Sequence, residues 1–282
     1  MTTAVKEASD RSGLRGQRGS AASFARALRS EFKRLVSQKW FYWCLAGMLL
    51  VPSLMEWFVA FTNRAIFEAE IVTNSLGPNA LLSGVRQPGS LFMWLIIVLS
   101  VTNDYSSGHS KLVASYFPSR WTAPVAKWVV VTLIASAGLF LAFLLSAGVY
   151  WLTVPGELQS TEDLAHAAKT MAKACLVYVP LTSVLMMGIA HLVRGSVPSI
   201  IIGLGWPMVA AIVPLSLDSL KRVAPFAPFN NARKWTWGTE GLFTEDSSEL
   251  FANGGLWPIL YYAFIALVIG GVSLYALKKR PA

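Results

Sequence analysis

Few of the residue types that carry chemistry stand at a spacing that would use them. The three histidines, His109, His166 and His191, lie far apart, with no cysteine or carboxylate at the short offsets of a metal site. A G-x-x-x-x-G-K-[ST] phosphate loop is absent, as is any Gly-Lys pair, so ATP is not hydrolysed by that route on this chain alone. No G-x-S-x-G elbow or H-E-x-x-H helix occurs either. No catalytic residue, metal ligand or bound cofactor is therefore expected of this chain itself. Cys44 and Cys175 fall inside apolar runs, where a thiol behaves as a small hydrophobe. Glu56 is the one carboxylate well inside an apolar run, about 24 Å along it at about 1.5 Å per residue. It either meets a cationic or hydrogen-bonding substrate in a central cavity or reaches outer water or Arg64. Lys169 and Lys173, one turn apart, read as interfacial anchors.

The elements that hold these residues are set by composition. The 282 residues are 54% hydrophobic and 14% charged, against roughly 25% charged in an average soluble domain. Apolar windows of near twenty residues predict an all-α polytopic membrane protein with six spans, at about 40–61, 89–104, 125–153, 169–192, 197–217 and 257–277. The second is the shortest apolar run. Pro180 is expected to kink the fourth span, and Pro207 and Pro214 to break the fifth. Residues 1–20 carry no apolar period and are expected to be disordered. In 21–39, Phe24, Leu28, Phe32, Leu35 and Val36 recur at helical spacing beside Arg26, Arg29, Lys33 and Arg34, which predicts an amphipathic helix on the inner membrane surface. The segment 218–256, with Trp235 and Trp237, reads as a folded extracellular cap or re-entrant hairpin. The net charge of +9 would suggest nucleic acid in a soluble protein, but here the basic residues flank the spans. With both termini cytoplasmic, sixteen Lys and Arg fall on inner segments and eight on outer ones, as the positive-inside rule requires.

The most informative segment is the inner loop 103–127, where Leu112, Val113, Tyr116 and Phe117 are spaced like a helical face closed by Pro118. Such a helix either presses into a groove on a soluble partner or lies in the membrane interface.

Three features together resemble the type-2 permeases of ATP-binding-cassette exporters, of the multidrug, antibiotic-resistance and bacteriocin-immunity kind. They are the Leu28–Leu35 run L-R-S-E-F-K-R-L leading into span one; the acidic-aromatic-x-x-Gly stretch Asp104, Tyr105, Gly108; and the ending Pro118, Arg120, then Lys127. Asp104 stands where the family commonly has Glu, and His109 where it commonly has Thr. The resemblance implies a multi-pass permease of the bacterial plasma membrane that pairs with a second permease, identical or not, and with two copies of a separate ATPase subunit, which binds the ATP and Mg. It implies that Asp104, Tyr105, Gly108, His109, Lys111, Tyr116, Pro118 and Arg120, with Glu31 and Arg34 of the amphipathic helix, couple to that ATPase. Glu56, Trp94, Gly203, Gly205 and Trp206 are the candidates for lining a substrate cavity. The cargo expected is a hydrophobic or peptidic compound, with a lipid or lipid-linked glycan as the alternative. A secondary transporter or a membrane scaffold without an ATPase are the competing readings.

Overall fold

The computed structural model describes residues 23–68, 77–108, 122–154, 156, 159–203, 205, 227–238 and 255–279. Among these the chain is helical and without strands: α1 (23–36), α2 (Lys39–Glu68), α3 (Gly77–Gly84), α4 (Ser90–Ser106), α5 (Thr122–Thr153), α6 (Thr161–Lys173), α7 (Val179–Val193), α8 (196–203), α9 (Pro228–Trp237) and α10 (Trp257–Lys279). Five helices are long and apolar enough to cross a membrane: Lys39–Thr62, Leu81–Ser106, Thr122–Thr153, Thr161–Val193 and Trp257–Leu277. The tail 1–20, most of the expected fifth span and most of 218–256 lie outside the described residues.

Two of these spans are composite. The second is lengthened because α3 runs into α4 through a π-turn, Val85–Gly89, that contains Pro88. The short apolar stretch at 91–101 is thus the middle of a span that starts ten residues earlier, at Leu81. The fourth starts at Thr161, where Ser160 caps α6 by accepting the Asp163 N–H at 3.2 Å and two acids occupy the first turn. The kink expected from Pro180 takes the form of a second π-turn, Ala174–Tyr178, between α6 and α7. Proline removes a backbone donor and crowds the preceding turn, and the wider π-turn makes room for it.

α4 is the most enclosed span, with α2, α5 and α7 around it, while α2 and α10 lie at the periphery. Their outward faces carry Leu50, Leu54, Trp57, Phe58 and Phe61 on α2 and Leu260, Phe264 and Leu267 on α10, apolar surface that suits lipid rather than water. Close backbone approaches set the contacts within. A Cβ on Gly84 would sit 2.4 Å from the carbonyl oxygen of Pro52, so only glycine lets α3 touch α2 there. A Cβ on Gly270 would come to 2.6 Å from Val184, and Gly188 faces the Gly270 backbone, so small residues bring α7 and α10 together.

Helix direction follows from paired positions. α4 runs against α2, with Asn103 beside Gln38 at one end and Ser83 beside Glu56 at the other. α10 runs parallel to α7, since Thr182 bonds Tyr262 at 2.9 Å and Gly188 meets Gly270. α9 lies near the start of α10, its Phe229 against Tyr262 and Trp94, and its Trp237 against Tyr178.

Candidate functional site

Four charged side chains from three helices meet at the end of the bundle where α1, the start of α2, the end of α4 and the start of α5 come together. Asp104, in the last turn of α4, is 5% exposed and takes an ion pair on each carboxylate oxygen, Arg34 of α1 on Oδ1 and Lys127 of α5 on Oδ2. Arg34 also donates through Nη2 to Glu31 Oε2 at 2.6 Å. The balance of two acids against two bases explains how so much charge stays buried. An unpaired ion there would cost several kcal/mol, whereas each of these is paired and hydrogen-bonded.

Local sequence explains why these residues arrive together. On α1 the inward stripe is Ala27, Glu31 and Leu35, at helical spacing, and Glu31 is as buried as its apolar neighbours. The expected apolar face is rotated: Phe32 is half exposed, because the helix turns Arg34 onto Asp104 and Glu31 onto Arg34 instead. A tight corner at Ser37 and Gln38 joins α1 to α2, and the Gln38 amide oxygen accepts from the Trp40 indole and, at 3.4 Å, from Asn103. α1 is thereby fixed to the end of α4 by two independent contacts.

Tyr105, the next residue, faces the other way. Its hydroxyl shares a hydrogen bond of 2.8 Å with His191 Nδ1 of α7, and Arg194 lies 5.6 Å over its ring. Arg194 caps α7 in the left-handed conformation, φ 58°, uncommon for a residue with a side chain. Gly108 ends α4 at φ 69°, which glycine adopts freely, and its N–H bonds the Tyr105 carbonyl at 3.3 Å. The acidic-aromatic-x-x-Gly motif is therefore a helix terminus: Asp104 ties it to α1 and α5, Tyr105 to α7, and Gly108 ends the helix.

The structure thus brings together Glu31, Arg34, Asp104 and Lys127, with Tyr105 and Gly108 beside them. His109, Lys111, Tyr116, Pro118, Arg120 and Trp206 lie outside the described residues. The cavity candidates are scattered. Glu56 is fully buried and receives the Ser83 hydroxyl at 3.3 Å, clamping α2 to α3 rather than reaching bulk water. Trp94 is buried against Phe229 of α9. A Cβ on Gly203 would meet Val98 and Met186 at 3.3 Å, so Gly203 faces its own bundle, whereas Gly205 is half-buried with open space beside its Cα. His191 and Gln38, which position Tyr105 and Asn103, carry no local signal that would single them out. Among the described residues no group of three or more His, Cys, Asp or Glu stands close enough to hold a metal ion. No protein-family profile, no curated protein and no solved structure matches the chain.

Proposed function

We propose that this chain is the permease subunit of an ATP-driven exporter, similar to the type-2 permeases of ATP-binding-cassette systems, with ATP hydrolysed by two copies of a separate subunit. One observation carries the reading: the residues that bear the resemblance, Glu31 and Arg34 before span one, Asp104 in the last turn of span two and Lys127 opening span three, form a single buried ionic cluster. Gly108 and Thr122, which bound residues 109–121, end span two and open span three beside that cluster. A push on the loop or on α1 would therefore reach spans two and three together, as rigid bodies, which is what coupling to an ATPase needs.

The parallel course of α7 and α10 supports a return crossing within 194–227, which brings the spans to six and both termini to the cytoplasmic face of a bacterial plasma membrane. The outward apolar faces of α2 and α10 are suited to lipid and to a second permease. The cargo is a hydrophobic or peptidic compound, in keeping with a bundle interior lined by Trp94, Tyr178, Phe229 and Tyr262. Purification from membranes tests the proposal. An ATPase subunit should co-elute with the chain and turn over ATP in dependence on it; a chain that moves cargo in vesicles without ATP or any such subunit would refute it.

A second reading has one observation in its favour. Glu56, fully buried with Oε1 unpartnered, is the kind of intramembrane carboxylate an ion-coupled transporter uses.

A further inference from the structure

Three of the spans are interrupted, and the interruptions meet in one layer. Pro52 removes a hydrogen bond from inside α2, the π-turn Val85–Gly89 with Pro88 joins α3 to α4, and the π-turn Ala174–Tyr178 ahead of Pro180 joins α6 to α7. Contacts put all three at the same height. A Cβ on Gly89 would lie 3.4 Å from Leu139 Cδ1 of α5 and 3.5 Å from Cγ of Pro52. One turn before Leu139, the Ser136 hydroxyl donates to the Cys175 carbonyl at 3.1 Å, and the Cys175 thiol donates back to the Ser136 carbonyl at 3.5 Å. α5 passes through this layer as one uninterrupted helix.

Beyond the layer, on the side away from Asp104, α3 packs against α6, while on the near side α4 packs against α7. Although α6 follows α5 in the chain, it packs more on α3 than on α5. The outer face of α6 is polar and exposed, with Glu162, His166, Lys169 and Lys173 along it, whereas Ala167, Thr170 and Met171 are buried on the other. Displacing this helix therefore uncovers few apolar groups. Two contacts with α2 define how α3 is held. The Gly84 backbone lies directly on the Pro52 carbonyl, where no side chain would fit. One turn further along α2, Glu56 Oε2 accepts the Ser83 hydroxyl at 3.3 Å. The first contact sits at the layer and the second beyond it.

We infer that α3 and α6 form a gate, one unit that swings about the two π-turns, pivots where Gly84 meets Pro52 and is latched by the Ser83–Glu56 hydrogen bond. A π-turn interrupts the regular hydrogen-bond ladder, so a helix bends there more readily than in an intact stretch. Two such turns at one height, with the segments beyond them packed together, make a common hinge, and α4, α5 and α7 are the frame it moves against. Opening uncovers Ala167, Thr170 and Met171 and brings Glu56 to water at the end of the bundle opposite the ionic cluster. The device does not depend on what drives transport, because hinge, pivot and latch are all contacts within the chain.

Hydrogen–deuterium exchange of the full chain in detergent, resolved by peptide, tests the gate. Residues 81–89 and 161–178 should exchange faster than 90–106 and 179–193. Ser83→Ala removes the latch. It should speed exchange in 81–89 and also in 161–173, which holds neither partner of the bond, each by about fivefold, as expected for one lost hydrogen bond. Pro180→Ala supplies the missing backbone donor, straightens the second hinge and should slow exchange in both segments. Changes confined to the mutated span, or spread equally over α4 and α7, would overturn the inference. So would exchange in 81–89 and 161–173 that responds to neither variant. Should Ser83→Ala fail to fold, Pro180→Ala decides by the same criterion: slower exchange in 81–89 supports the gate, and an unchanged rate there overturns it.

Discussion

Arg34 of the first helix and Asp104 in the last turn of α4 form a buried ion pair, which makes a helix outside the spans part of the structure of span two. Lys127 completes the carboxylate's coordination from α5. Removing the shared acid is therefore different from removing one base. Asp104→Ala strands Lys127 without its acid and leaves Arg34 with Glu31 alone, and should lower stability by about 3–5 kcal/mol. Lys127→Met leaves Arg34 paired to the carboxylate and should be clearly milder. Chemical or thermal unfolding of the two purified variants in one detergent checks the order, and equal losses would show that the acid is not the hub.

Gly108 turns the chain at φ 69°, where a Cβ is strained but not blocked, since nothing lies within 4 Å of its position. Gly108→Ala should cost about 1 kcal/mol. Gly108→Asn should cost less, because asparagine tolerates the left-handed region. A melting comparison that ranks alanine as the better replacement would show that the terminus of α4 is not held as described.

The α7–α10 contact offers an internal control. Gly270 has Val184 within 2.6 Å of a Cβ position, and the adjacent Gly271 has nothing within 4 Å. Gly270→Leu should separate the two helices and reduce the yield of folded protein, while Gly271→Leu, facing outward, should be tolerated. Size-exclusion profiles of the two variants decide it, and similar behaviour of both would refute the packing.

Glu56 separates the two transport readings. Glu56→Gln can still accept the Ser83 hydroxyl through its amide oxygen, so an ATP-driven exporter should keep cargo movement within about twofold of wild type, since no protonation step is lost. A transporter that moves ions through this carboxylate would lose coupled transport entirely. Vesicle assays with and without an imposed ion gradient provide the readout.

Sequence and structure agree where the signal is local. Long apolar runs are spans because a bilayer demands about twenty apolar residues, and Pro180 distorts its helix because the backbone chemistry is local. The run at 91–101 looked short because its continuation passes through Arg86, Gln87 and Pro88, polar or helix-breaking types that a π-turn accommodates. The burial of α9 was also hidden, since Asn230, Asn231, Arg233 and Lys234 are polar types, and only the contacts of Phe229 with Tyr262 and of Trp237 with Tyr178 show the helix packed inward. At the candidate site the individual residues were legible as motifs. Their pairing was not, because no periodicity relates positions 31 and 34 to 104 and 127.

The proposed function requires the Arg34–Asp104 pair to transmit motion from an ATPase subunit to the spans, and a charge swap tests this most directly. ATP turnover would be measured on the purified complex with its co-eluting ATPase subunit for Arg34→Asp, for Asp104→Arg and for the double exchange. Both single changes should sever cargo-dependent stimulation of turnover, and the double exchange should recover a substantial part of it. Single variants stimulated as strongly as wild type would contradict the account.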